Sequence, residues 1–213
     1  QGIDLSNEGF YQLVDDSGTI PKTSQPTPQQ FVDFYKEIAN PGDDILSIHV
    51  TSKLSGTYTS AELAARELEG EYNVIPFDSA AGSAAQGFMV REARLLERAG
   101  VSLEKIIGRL SYIRENIQII LTLDTMEYAR MSGRVKAMQA ALASLLNVKP
   151  IIVLENGVLD VHDKVRTRGK SLEHVLKMVK ERIGDGLANV AVVHARDPRA
   201  GQNLMEKARK IFN

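Results

Sequence analysis

Residues 45–60, ILSIHVTSKLSGTYTS, decide the fold. Ile45 to Val50 is a short apolar run of the kind that forms a buried strand. Ser55 to Glu69 follows with helical periodicity and a Ser/Thr-rich entry. Thr51 to Ser60 joins the two. In an open α/β sheet this strand-to-helix edge is where ligands bind. Gly56 and the small hydroxyl residues let the backbone approach a ligand closely. The helix N-terminus then offers free N–H groups and a positive dipole end to an anion. The segment reads as a cradle for a carboxylate or phosphate. It reads equally as a helix cap, in which Ser55 or Thr57 stabilises the first turn by roughly 1 kcal/mol. The two readings are compatible.

Outward from this segment the pattern alternates. Asn73 to Phe77 is a second strand, with Pro76 placing it at an edge. Helices are predicted at Ser83 to Arg98 and Leu103 to Glu115. Strand, helix, strand, helix implies a parallel sheet with crossover helices. Ile117 to Leu123 then reads as a strand, and a helical stretch runs to about Leu146. Pro150 to Leu154 and Val158 to Val165 form a hairpin around the Asn156-Gly157 turn signal. Ser171 to Ile183 is a helix, Ala188 to Ala195 a strand, and Pro198 to Ile211 a closing helix with Pro at its start. The hairpin implies an antiparallel or mixed sheet. A domain boundary is therefore placed near Glu115, giving 1–115 with a parallel sheet and 116–213 with a mixed sheet.

Composition bounds the function. The chain has 213 residues, 43% apolar and 25% charged, enough to bury a sizeable core. Lys plus Arg is 26 and Asp plus Glu is 27, so the net charge is -1. That balance argues against general nucleic-acid binding and against an electrostatic membrane anchor. There is no cysteine, which excludes disulfides, thiol nucleophiles and Cys-based zinc sites. No run approaches the roughly 18 apolar residues of a membrane span, so stable membrane insertion is not expected. A cytoplasmic protein is the expectation.

Other segments are individually weak. Pro21 to Pro28 (PKTSQPTP) is an extended or turned loop that projects the hydroxyls of Thr23 and Ser24. Asp78-Ser79 ends a strand and reads as a ligand contact or a turn. Gly133 breaks a helix beside Arg134, a residue type suited to planar recognition of carboxylate or phosphate. Lys164 to Lys170 (KVRTRGK) is an anion-binding rim or a solvated strand end. Met138 to Val148 is an apolar stripe that lines a cavity or belongs to the core. The four histidines are scattered without metal-ligand spacing, and His49 reads as a satisfied core residue. No G-x-S-x-G elbow and neither standard nucleotide-binding loop is present.

Taken together and in order, these segments resemble the DegV family, the bacterial fatty-acid-binding proteins. The resemblance rests on Lys22 to Pro26 (KTSQP), Ser52 to Ser60 (SKLSGTYTS), Asp78-Ser79, Ser132 to Val135 (SGRV), Lys149 to Ile152 (KPII) followed by Gly157, and Lys164 to Thr167 (KVRT). It implies two α/β domains with a long-chain fatty acid, such as palmitate, stearate or oleate, held between them. It implies that Thr23 and Ser55 hydrogen-bond the acyl carboxylate, with Ser24 and Ser52 as neighbours and Gly56, Thr57, Asp78 and Ser79 completing the site. It implies that Arg134 and Arg166 serve transfer to or from a fatty acid kinase, which supplies the ATP chemistry and forms an acyl phosphate. The chain itself is then a carrier without catalytic residues, metal or cofactor. Against the family pattern the sequence lacks an opening strand and a closing H-x-G-P-G-like segment, as though trimmed at both ends. Met131 stands where a Lys usually precedes the SGR motif. The alternative is an enzyme that acts on a small carboxylated or phosphorylated substrate through the same hydroxyl-rich loops. No general base is evident beside Ser55, which counts against it.

Overall fold

Residues 5–135 and 148–212 are described by the computed structural model. The helical stretch expected beyond Gly133 and most of the Met138 to Val148 stripe lie outside them. Strands β1 (Asp44–His49) and β2 (Asn73–Asp78) form a two-stranded parallel sheet. Helices α1 (Asn7–Ser17) and α2 (Pro28–Ile38) precede β1. The crossover is α3 (Thr57–Glu67), and α4 (Ser83–Arg98) and α5 (Leu103–Asn116) follow β2. Alternation along β1 sorts its side chains by face. Ile45 packs with Val32, Tyr35, Ala64 and Leu68 of the α2–α3 layer. Leu46 and Ile48 pack with Phe77, Met89, Ile106 and Leu110 of the α4–α5 layer. Pro76 pairs with Ser47, and in a two-stranded sheet both strands are edges, so its missing N–H is tolerated.

The second sheet is β3 (Ile119–Thr122), β4 (Lys149–Glu155) and β5 (Val158–Val165), in the order β3-β4-β5. Its continuous apolar run makes β4 the central strand, buried from Pro150 to Leu154. On one face Ile151 and Val153 meet Val175 and Met178 of α7 (Arg168–Ile183). On the other, Ile152 meets Met126 and Val135 around α6 (Glu127–Ser132). Asn156 (φ +50°) and Gly157 (φ +79°) make the expected hairpin turn, both in the left-handed region that such a two-residue turn requires. The closing helix α8 runs Pro198–Ile211, as read from the sequence.

Two expectations need correction. The described strands of the second sheet are antiparallel throughout, not mixed. The strand expected at Ala188 to Ala195 does not form, and that segment has no regular secondary structure and is largely exposed. Val190 is 38% and Val193 62% exposed. Alternating apolar residues make a strand only where a neighbour accepts their backbone bonds, and none of the described strands lies beside this one.

Candidate functional site

The C-terminal ends of β1 and β2 lie side by side, and the loops leaving them build the site. The Ser79 N–H donates to the His49 carbonyl at 3.1 Å, and the Thr51 N–H to the Ala81 carbonyl at 2.8 Å. Asp78 gathers both loops. Its Oδ2 accepts the Ser52 N–H at 3.2 Å and its Oδ1 the Ala80 N–H at 2.8 Å. Ser79 is fully buried, and its Oγ accepts the Ala81 N–H at 3.1 Å. Ala80 (φ +49°) and Ser83 (φ +53°) hold a left-handed backbone that residues with side chains rarely adopt. Such strain concentrates at functional loops.

The loop entering α3 differs from the expected cap. Gly56 is the N-cap residue and supplies no capping side chain. Ser55 Oγ instead sits 2.8 Å from Thr57 Oγ1 and accepts the Thr57 N–H at 3.3 Å. The Leu54 and Ser55 N–H groups both donate to the Thr51 carbonyl. Gln25, in the TSQP motif, lies directly on Gly56, where any Cβ would overlap its amide group. Gln25 Nε2 also donates to Ser60 Oγ at 3.3 Å. The two N-terminal motifs therefore meet, with the Gln25 amide seated where a side chain at position 56 would stand. Thr23 and Ser24 are exposed in the loop before Gln25.

Behind the loops lies a buried polar chain. Tyr35 Oη is 2.6 Å from Ser47 Oγ, which is 2.8 Å from His49 Nε2. The rings of Phe31 and Tyr58 stand edge-on to the imidazole. Burial lowers the His49 pKa, and the Asp78 charge only partly opposes this. Burial raises the Tyr35 pKa, with the Ser47 hydrogen bond opposing it. His49 is a satisfied residue of the first core.

A cleft of about 460 Å³ opens between the two sheets. Ile117, Ile119 and Leu154 line it from the second sheet and its approach, and Thr51, Lys53, Asp78 and Ala81 from the first. Arg114, near the end of α5, reaches into the same wall. Its Nη1 donates to the Asp78 carbonyl at 3.2 Å, and its guanidinium stacks 4.9 Å from the Phe77 ring centre. Of the residues expected at the site, Asp78 lines the cleft, Ser52, Ser55, Gly56 and Ser79 stand on the surrounding loops, and Thr57 opens α3. Arg134 follows the left-handed Gly133 at the end of α6, and its Nη1 donates to the Ser132 carbonyl at 2.6 Å. Arg166 is exposed between β5 and α7. Its neighbour Arg168 pairs with Asp124 at 3.7 Å and Asp197 at 3.8 Å, so this part of the basic cluster is structural.

The sequence reading placed Thr51 and Lys53 within the candidate cradle without singling them out, and it passed over Arg114. Thr51 carried a signal, a hydroxyl at the strand end. Arg114 looks like any basic residue in the last turn of a helix, and only the packing of α5 beside β2 brings it to the cleft.

Comparison with known proteins agrees with this architecture. The model of the DegV family, described as a family of uncharacterised proteins, matches residues 1–213. A DegV domain-containing protein of Deinococcus radiodurans is 34% identical over 203 residues, covering 93% of this chain and 72% of that protein. DegV of Bacillus subtilis, a fatty acid binding protein of known crystal structure, superposes with a TM-score of 0.87 at 33% identity, over 98% of this chain and 75% of that one. A fatty-acid-binding DegV family protein from Thermus thermophilus superposes with a TM-score of 0.77 at 34% identity. The match covers 86% of this chain, which spans 65% of the Thermus chain's length. The match along the whole sequence and the shared fold make this chain a member of the DegV family.

Proposed function

We propose that the chain binds a long-chain fatty acid in the cleft between its two sheets and presents the carboxylate to a partner fatty acid kinase. In this reading the chain is a carrier, the kinase makes the acyl phosphate, and the setting is the cytoplasm. The lobes are 1–115 and 116–213. The observation that carries the reading is the cleft itself, apolar at Ala81, Ile117, Ile119 and Leu154, with Lys53 and Arg114 as the cations of a wall that also holds Asp78, Glu115 and Glu155. Its volume falls within the roughly 300–1,000 Å³ of small-molecule sites. Similarity to fatty-acid-binding relatives from Bacillus subtilis and Thermus thermophilus supports it.

The energetics are adequate. Burying about a dozen methylenes yields on the order of 10 kcal/mol gross. Loss of ligand freedom takes back several kcal/mol. The head group then needs only modest contacts. Hydroxyls of the Ser52 to Thr57 loop and of Thr23 and Ser24 serve as donors, and Lys53 and Arg114 supply positive charge that keeps the carboxylate ionised. Arg134 and Arg166 are assigned to the kinase-facing side.

Mass spectrometry of lipid extracted from freshly purified protein tests the proposal. A stoichiometric long-chain fatty acid is the expected result. Protein that neither carries nor takes up a fatty acid would overturn it and favour an enzyme acting on a small carboxylated or phosphorylated substrate.

A further inference from the structure

Among the described residues, the hairpin turn of the second sheet meets the loop that leaves β1 at Thr51. Thr51 Oγ1 donates to the Gly157 carbonyl at 3.1 Å. The same oxygen accepts the Lys53 N–H at 3.3 Å, and Thr51 is fully buried. Gly157 lies at φ +79°, and a Cβ placed there would overlap Thr51 Oγ1 and sit 3.2 Å from Lys53 Cγ. Thr51, Lys53 and Asn156 all line the cleft. The turn therefore rests on the cleft wall.

We propose that the Thr51–Gly157 contact is a latch that holds the two sheets closed over the cleft, and that its opening sets the rate at which the ligand enters and leaves. This rests on the fatty-acid reading of the cleft. The physical argument is one of scale. A single neutral hydrogen bond contributes little net stability, so the latch opens without unfolding either core. Yet it is the point where the strand-end loop of one sheet bears on the other. Glycine at 157 permits full closure, because any side chain there acts as a wedge.

The test compares four variants with the wild-type chain. Gly157→Ala adds the wedge, and Thr51→Val removes the donor at nearly constant volume. Thr51→Ser keeps the hydroxyl. Gly100→Ala is the matched control, since Gly100 has φ +72° and nothing within 4 Å of its missing Cβ. It carries the same backbone strain without the wedge. Stopped-flow release of bound cis-parinaric acid should be about tenfold faster for Gly157→Ala and Thr51→Val than for Gly100→Ala and Thr51→Ser. Equal release from all four would overturn the latch. Amide hydrogen exchange at Lys53, Leu54 and Ser55 reads the latch without ligand. Faster exchange in Gly157→Ala than in Gly100→Ala supports it, and equal exchange overturns it. A wild-type chain that binds no cis-parinaric acid, with exchange still differing between these variants, would sink the fatty-acid reading while leaving the latch standing.

Discussion

At the scale of single residues, the site divides into groups that touch the cleft and groups that hold those groups in place. Arg114 belongs to the first kind. Arg114→Gln should weaken fatty-acid binding by roughly tenfold or more, because a hydrogen bond to a charged group is stronger than a neutral one. Ser55→Ala should weaken it by about fivefold, and acyl-phosphate formation by the proposed kinase partner by more. Fluorescence titration measures both, and an unchanged affinity in each would remove these residues from the head-group site. His49 belongs to the second kind. Burial lowers its pKa in the folded chain, so below about pH 6.5 the unfolded chain takes up the proton first. Stability should therefore fall as the pH drops from 7 through 6, and His49→Gln should flatten that slope in urea titrations. The hydroxyl motifs were legible because residue type and position in the chain suffice to mark them. The importance of Thr51 was not, because its decisive partner lies 106 residues away.

At the scale of elements, periodicity and caps carried most of the information. The apolar runs of β1 and β4 and the Asn-Gly turn stand out in the sequence as they stand in the fold. The two N-terminal helices were not read from the sequence, although α2 is amphipathic and buries Val32 and Tyr35 on one face. Helix α2 also advertises its start with Thr27, Pro28 and Gln30. Thr27 Oγ1 accepts the Gln30 N–H and Gln30 Oε1 accepts the Thr27 N–H, a complete capping box. Thr27→Ala should cost about 1 kcal/mol, measured by urea denaturation. The segment at Ala188 to Ala195 misleads in the opposite direction. Its composition suits a strand, but a strand is a property of two segments, and the sequence of one cannot show its neighbour.

At the scale of the molecule, the two sheets and their loops meet across the cleft. Fatty acid at about a hundred times its Kd should add about 2.7 kcal/mol to stability, seen as a higher Tm by calorimetry. If the ligand bridges both lobes, spectroscopic probes placed on each should shift together, whereas a site on one lobe would move only that lobe's transition. The two-sheet plan was legible from the change of pattern near Glu115. The cleft between the sheets was not, since no local pattern encodes how two sheets face each other. The exposed segment after α7 has its own consequence for how copies of the chain behave together. From Gly186 to Ala195 (GLANVAVVHA) no residue is formally charged at neutral pH, and Asp185 and Arg196 guard the two ends. An uncharged, proline-free stretch rich in valine is what seeds intermolecular β-stacking. Concentrated solutions of this chain should therefore form thioflavin-positive fibrils from this segment, and Val193→Lys should suppress them without lowering Tm.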